Sequence, residues 1–256
     1  MKNNNMRIYV VNSYDEMSKQ AANIVASQVT LKPNSVLGLA TGGTPVGMYK
    51  QLVEMYQKGD VDFKQVTTFN LDEYYPLSRE NANSYYHYMY TNLFKHINVP
   101  GDHINIPNGM AKDVIVECQT YEKNIESAGG IDLQVLGIGP NGHIGFNEPD
   151  VKFEAGTHLV KLDEHTIEAN ARFFDSKEEV PTEAISMGIR TIMRAKKIIL
   201  LANGESKAKV IKEMVSGDIS PKVPASILQL HGDVTVIVDQ EAAKELKNCS
   251  QFALCM

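Results

Sequence analysis

The sequence predicts an α/β fold, a mostly parallel sheet with helices on both faces. Three observations predict it. Six short apolar runs have the length and composition of buried strands, segments of helical spacing separate them, and strands that alternate with helices pair in parallel. No apolar run approaches the length of a membrane span.

The first strand candidate is RIYVV at 7–11. Ser13 and Glu16 then form an S-x-x-E capping box, followed by Met17, Ala21, Ile24 and Val25 at helical spacing. SVLGLA at 35–40 is the second run. Thr44-Pro45 reads as an N-cap with proline at the first helical position, and Met48, Tyr49, Leu52, Val53 and Tyr56 mark one face of the helix behind it. VTTFNL at 66–71 is the third run. Asp113, Cys118, Tyr121 and Ile125, closed by Gly129-Gly130, outline another helix before DLQVLGI at 132–138. Residues 182–195 read as a helix, KIILLA at 197–202 as a strand, residues 206–215 as a helix and VTVIV at 234–238 as the last strand.

The chain of 256 residues shows no repeat, no low-complexity tract and no Pro/Gly/Ser-rich linker, so one domain over 1–256 is expected. Apolar content of 43% and charged content of 22% are those of an ordinary globular protein. A net charge of −6 argues against a general nucleic-acid binder but leaves room for a small anionic ligand held by a few local cations. Cys118, Cys249 and Cys255 have no C-x-x-C spacing, and the opening MKNNNMRIYV has no apolar leader core. A cytoplasmic location is expected.

In parallel sheets ligands sit beyond the carboxyl ends of the strands, which directs attention to the segments after residues 40, 70, 138 and 202. LATGGTPVGMYK at 39–50 carries two adjacent glycines before a helix start. Such a turn suits a single phosphate, although a plain strand-to-helix turn has the same look. Met48 stands where a P-loop has its lysine, which argues against a nucleotide triphosphate. In FNLDEYYPL at 69–77, Asp72 directly follows an apolar run, where a carboxylate is either a general base or a turn residue.

LGIGPNGHIGFNEP at 136–149 spells G-x-G-x-x-G after a strand, the fingerprint of a dinucleotide turn. That fingerprint requires a helix to open at the third glycine, and Gly145 and Pro149 forbid one. His143 and Glu148 are five apart, without the i, i+4 spacing of a helical zinc pair. What remains is an imidazole between two glycines, with Asn141 and Glu148 near enough to orient it. Arg172 and Lys207 are cations near the later loops, each either a solvated charge or a phosphate contact.

Taken together, LATGGTP at 39–45, FNLDEYY at 69–75, LGIGPNGHIGFNEP at 136–149, ANARFFD at 169–175 and ANGESKA at 202–208 resemble the glucosamine-6-phosphate deaminase family, in register over nearly the whole chain. The resemblance implies a modified Rossmann-like fold and conversion of D-glucosamine 6-phosphate and water to D-fructose 6-phosphate and ammonia, with no cofactor and no metal. It implies that His143 assists ring opening, that Asp72 moves a proton from C2 to C1, and that Glu148 and Asn141 serve His143. Thr41, Gly42, Gly43, Thr44, Arg172 and Lys207 would hold the phosphate.

Two departures stand out. Many members of the family carry aspartate where this chain has Asn141, and an amide adds no charge to stabilise an imidazolium, leaving Glu148 to do so alone. Allosteric, hexameric members bind N-acetylglucosamine 6-phosphate through Arg and Lys at the positions of His158 and Val160, and through a longer tail. Hyperbolic kinetics and a monomer or small homo-oligomer are therefore expected, with a sugar phosphate as partner and neither nucleic acid nor membrane. The rivals are a 6-phosphogluconolactonase, whose run after the histidine is Ser-Leu-Phe-Pro-like where this chain has FNEP, and a non-catalytic sugar-phosphate sensor. A sensor would be expected to lose Asp72 or His143 and to carry a DNA-binding module, for which residues 1–30 leave room for one helix.

Overall fold

The computed structural model describes residues 6–171, 174, 176, 179–246 and 254–255. Strand β1 (Met6–Val11) leads into helix α1 (Tyr14–Leu31), where Ser13 accepts the Glu16 N–H and the Glu16 carboxylate reaches back to the Asn12 N–H. Both ends of the capping signal are thus satisfied locally. Then follow β2 (Val36–Leu39), α2 (Val46–Lys58), β3 (Thr67–Asn70), β4 (Asp72–Tyr75), α3 (Tyr85–Asn92), β5 (Ile104–Asn105) and α4 (Val114–Ser127). The second half contains β6 (Leu133–Leu136), β7 (His158–Lys161), α5 (Glu164–Asn170), β8 (Glu183–Ser186), α6 (Ile189–Met193), β9 (Lys197–Ala202), α7 (Ala208–Ser216), β10 (Val234–Asp239) and β11 (Leu254–Cys255).

The main sheet has eight strands in the order β11-β1-β10-β9-β6-β2-β3-β5, and every pairing in it is parallel. All four residues of β2 and of β6 are buried. Successive residues of a strand face opposite sides, so burial of every one means that both faces of the sheet are covered. The six apolar runs expected to form strands are β1, β2, β3, β6, β9 and β10. From β2 the chain moves outward through β3 to β5, whereas β6, β9 and β10 build the other side. The order therefore reverses between β2 and β6, and the loops leaving these two strands diverge to open a crevice.

A second, three-stranded antiparallel sheet, β4-β8-β7, lies outside those expectations. Residues 182–195 are not one helix. They form β8, a break and the five-residue α6. Gly188 at the break has an extended backbone, and a side chain there would strike the Gly156 and Ala155 carbonyls. Thr44 does not cap α2: Pro45 occupies that position, and the Thr44 hydroxyl donates to Asn203 Oδ1 at 3.2 Å. Among the described residues no helix is long and apolar enough to cross a membrane.

Candidate active site

Leu71 joins the two sheets. Its N–H donates to Leu39 of the main sheet at 3.0 Å, and its carbonyl accepts from Met187, just after β8, at 2.7 Å. The next residue, Asp72, opens β4 opposite Ser186 and is 5% exposed. Burial, with the neighbouring Glu73 charge adding to it, pushes the Asp72 carboxyl up to about 8. Glu73 is turned inward instead, where it accepts the N–H groups of Tyr74, Tyr85 and Tyr86, each at 2.9 Å. Burial raises its carboxyl to about 7 against the pull of those three bonds. Glu73 thus anchors the start of α3, and Asp72 is the carboxylate that faces the crevice.

The loop after β6 holds His143. A Cβ at Gly139 would lie 2.3 Å from the imidazole, so only glycine lets the ring rest against this backbone. Gly142 and Gly145 have φ of +91° and +58°, values that side chains resist. Nδ1 of His143 lies 3.1 Å from Glu148 Oε2. An ionised carboxylate can only accept, so Nδ1 carries the proton and Nε2 is left to exchange one with a ligand.

Three side chains fix Glu148. Oε2 takes His143 and the Asn141 amide (2.8 Å), and Oε1 takes the Thr166 hydroxyl (2.5 Å). Burial works to raise this carboxyl, but the hydrogen bond and charge of His143, with the bonds from Thr166 and Asn141, outweigh it and hold Glu148 below the usual range. Asn141 is not a partner of the ring. Its amide oxygen accepts the His143 backbone N–H at 3.2 Å while its nitrogen donates to Glu148.

Thr41, Gly42, Gly43, Thr44, Asp72, Asn141, His143 and Lys207 all line one cavity of about 210 Å³ at the crevice. Glu148 stands behind His143. Lys207 comes from the turn that opens α7, and its ammonium donates to the Ile138 carbonyl at 2.7 Å. Arg172 lies outside the described residues. Sequence reasoning did not single out Thr166, Tyr85 or Phe146, which also line the cavity. Tyr85 and Phe146 stack at 5.9 Å and 14° as one apolar wall. The YYHYMY run at 85–90 was the one visible signal for Tyr85, whereas nothing in the spacing links Thr166 to Glu148, eighteen positions away.

No helix starts at Gly142, so the G-x-G-x-x-G spelling lacks the geometry of a dinucleotide turn. Among the described residues no three His, Cys, Asp or Glu side chains are grouped to hold a metal ion. The cavity thus presents a buried carboxylate, a carboxylate-bound histidine and a glycine loop facing a lysine, a set equipped to move protons on an anionic substrate.

A family model described as glucosamine-6-phosphate isomerases/6-phosphogluconolactonase matches residues 12–237, and the chain belongs to that family. It is 64% identical over 241 residues to a glucosamine-6-phosphate deaminase of Clostridium acetobutylicum, covering 94% of this chain and 100% of the relative. A solved structure described as a monomeric glucosamine-6-phosphate deaminase superposes with a TM-score of 0.92 at 48% identity, covering 94% of this chain and 100% of the other. The 6-phosphogluconolactonase of Trypanosoma cruzi shares the fold at a TM-score of 0.75 and 20% identity, covering 94% and 97% of the two chains.

Proposed function

We propose that this chain is a glucosamine-6-phosphate deaminase, converting D-glucosamine 6-phosphate and water to D-fructose 6-phosphate and ammonia. The observation that carries this reading is the pairing of His143 with Glu148 in the same cavity as the buried Asp72. A lactone hydrolase has no carbon-bound proton to move and gains little from a second, buried base.

The steps follow from the groups present. Nε2 of His143 moves a proton at the ring oxygen, and the pyranose opens to the aldose. Asp72 takes the proton from C2 as the C1 oxygen is protonated, which leaves an enolamine. Return of a proton to C1 gives the ketimine. Water then adds at C2 and ammonia leaves. Burial suits Asp72 to this task, because a carboxyl pushed up to about 8 is a far stronger base than a solvated one. Gly43, Thr44, Arg172 and Lys207 hold the phosphate, with Thr41 and Gly42 completing the loop. That anchoring is itself catalytic, since orientation is worth up to about 7–11 kcal/mol in the best intramolecular cases.

The chain acts as one domain and as a monomer or small homo-oligomer in the cytoplasm, with neither nucleic acid nor membrane as partner. The monomeric description of the 48% identical structure supports this assembly state. The test supplies glucosamine 6-phosphate and measures ammonia and fructose 6-phosphate, expected in equal amounts and lost in Asp72→Asn. Turnover of 6-phosphogluconolactone without ammonia release would overturn the proposal.

A further inference from the structure

The glycine loop is held from behind by three tyrosines drawn from three helices. Tyr49 of α2 donates its hydroxyl to the Ala40 carbonyl at 2.5 Å, Tyr88 of α3 to the Gly42 carbonyl at 2.6 Å, and Tyr14 of α1 to the Gly43 carbonyl at 3.2 Å. The Tyr14 oxygen also accepts the Gly47 N–H at 2.8 Å. None of the three tyrosines lines the cavity that residues 40–44 line.

In a planar trans peptide the carbonyl and the following N–H point in opposite directions. Carbonyls turned back to tyrosines therefore send the N–H groups of Thr41, Gly43 and Thr44 forward, to the cavity side. Among the described residues no hydrogen bond occupies these three donors. The loop would not keep this state unaided. Gly42 has φ +94°, and a peptide between two glycines flips at little steric cost. A flip of the Gly42–Gly43 peptide would aim a carbonyl oxygen, the wrong end of the dipole, at an anion.

We propose that Tyr88 and Tyr14 are positioning residues for anion binding: by tethering the Gly42 and Gly43 carbonyls they lock the Gly43 and Thr44 N–H groups onto a phosphate oxygen. The proposal rests on the phosphate assignment made under the proposed function. Tyr49 tethers the preceding peptide in the same way, but it is fully buried and is the less useful probe.

The experiment measures the Ki of inorganic phosphate as a competitive inhibitor, together with KM and kcat for glucosamine 6-phosphate. Tyr88→Phe and Tyr14→Phe are each expected to raise Ki and KM together by about two- to tenfold, the equilibrium worth of one such hydrogen bond, with kcat within twofold of the parent. Either variant suffices if the other fails to fold. Tyr75→Phe serves as the control for general loss of a tyrosine bond, since its hydroxyl reaches the Ala111 carbonyl, away from the loop; its Ki stays parental. Lys207→Met tests the phosphate assignment separately and is expected to raise Ki. Parental Ki in both tyrosine variants beside a raised Ki in Lys207→Met overturns the tethering role alone, and so does an equal rise in Tyr75→Phe. A Ki unmoved by Lys207→Met takes down the phosphate assignment and this inference with it.

Discussion

Asn141 gives its amide hydrogen to Glu148 at 2.8 Å, on the same carboxylate oxygen that His143 uses. The amide donates to that carboxylate from its nitrogen while its oxygen accepts the His143 backbone N–H at 3.2 Å. The effect of residue 141 therefore reaches His143 through Glu148.

Asn141→Asp removes the donor and sets two carboxylates at hydrogen-bond distance, which forces one of them to hold a proton. Below the rise that Asp72 sets, kcat/KM is expected to fall more steeply with decreasing pH in the variant than in the parent, because Glu148 must be ionised to orient His143. Profiles of parent and variant that superimpose would show that the bridge does not matter.

Asp72→Asn is expected to lower kcat by about 10²–10⁴-fold, the range for loss of a general base. In the parent, kcat/KM is expected to rise with pH toward 8 as Asp72 ionises. Stability runs the other way. The folded carboxyl titrates near 8 and the unfolded one near 3.8, so the stability that Asp72 contributes is complete below about 4 and is lost as pH rises to 8. The variant is therefore expected to melt above the parent by a margin that widens across this window. Thermal melts at pH 5, 7 and 9 check it, and a constant margin would contradict it.

Gly139→Ala places a methyl group where the imidazole of His143 lies. The backbone at 139 is not in the left-handed region, so the variant is expected to fold. Displacing the ring by about 1 Å is expected to cost on the order of 10²-fold in kcat/KM. On the proposed assignment phosphate is held by side chains and N–H groups other than His143, so phosphate inhibition is expected to change far less than kcat/KM. A parental kcat/KM would mean that the ring position is unimportant.

Val160 packs into the small apolar cluster of Tyr74, Phe146, Leu162 and Ala184, and His158 lies 3.0 Å from the Gly156 carbonyl. We expect a hyperbolic rate curve, no response to N-acetylglucosamine 6-phosphate, and the mass of one chain or a small oligomer by light scattering. A sigmoidal curve that N-acetylglucosamine 6-phosphate makes hyperbolic would refute this.

The six inner strands were legible because strands covered on both faces, as β2 and β6 are, read as near-continuous apolar runs. The small sheet was not. DEYY, HLVK and EAIS are four residues each, rich in polar positions, and their pairing depends on partners 22 to 114 positions away. In the site, the residues legible in advance carry a chemical function or a glycine at a strand end. Those that only support them were hidden. Thr166, Tyr14 and Tyr88 act through contacts across 18 to 46 positions, and a threonine or tyrosine on a helix has the same look whether or not it holds a distant loop.

Leu71 has a further consequence, for what this scaffold can be adapted to do. Its N–H bonds to Leu39, two residues before the glycine loop begins at Thr41, and Asp72 follows it directly. The span from Asp72 to the glycine loop, the proposed base and phosphate site, is thus cast in main chain, and exchanging side chains in the cavity cannot lengthen it. Laboratory evolution toward a sugar with one carbon more or fewer between its reacting centre and its phosphate would have to insert or delete residues at the ends of β2 and β3.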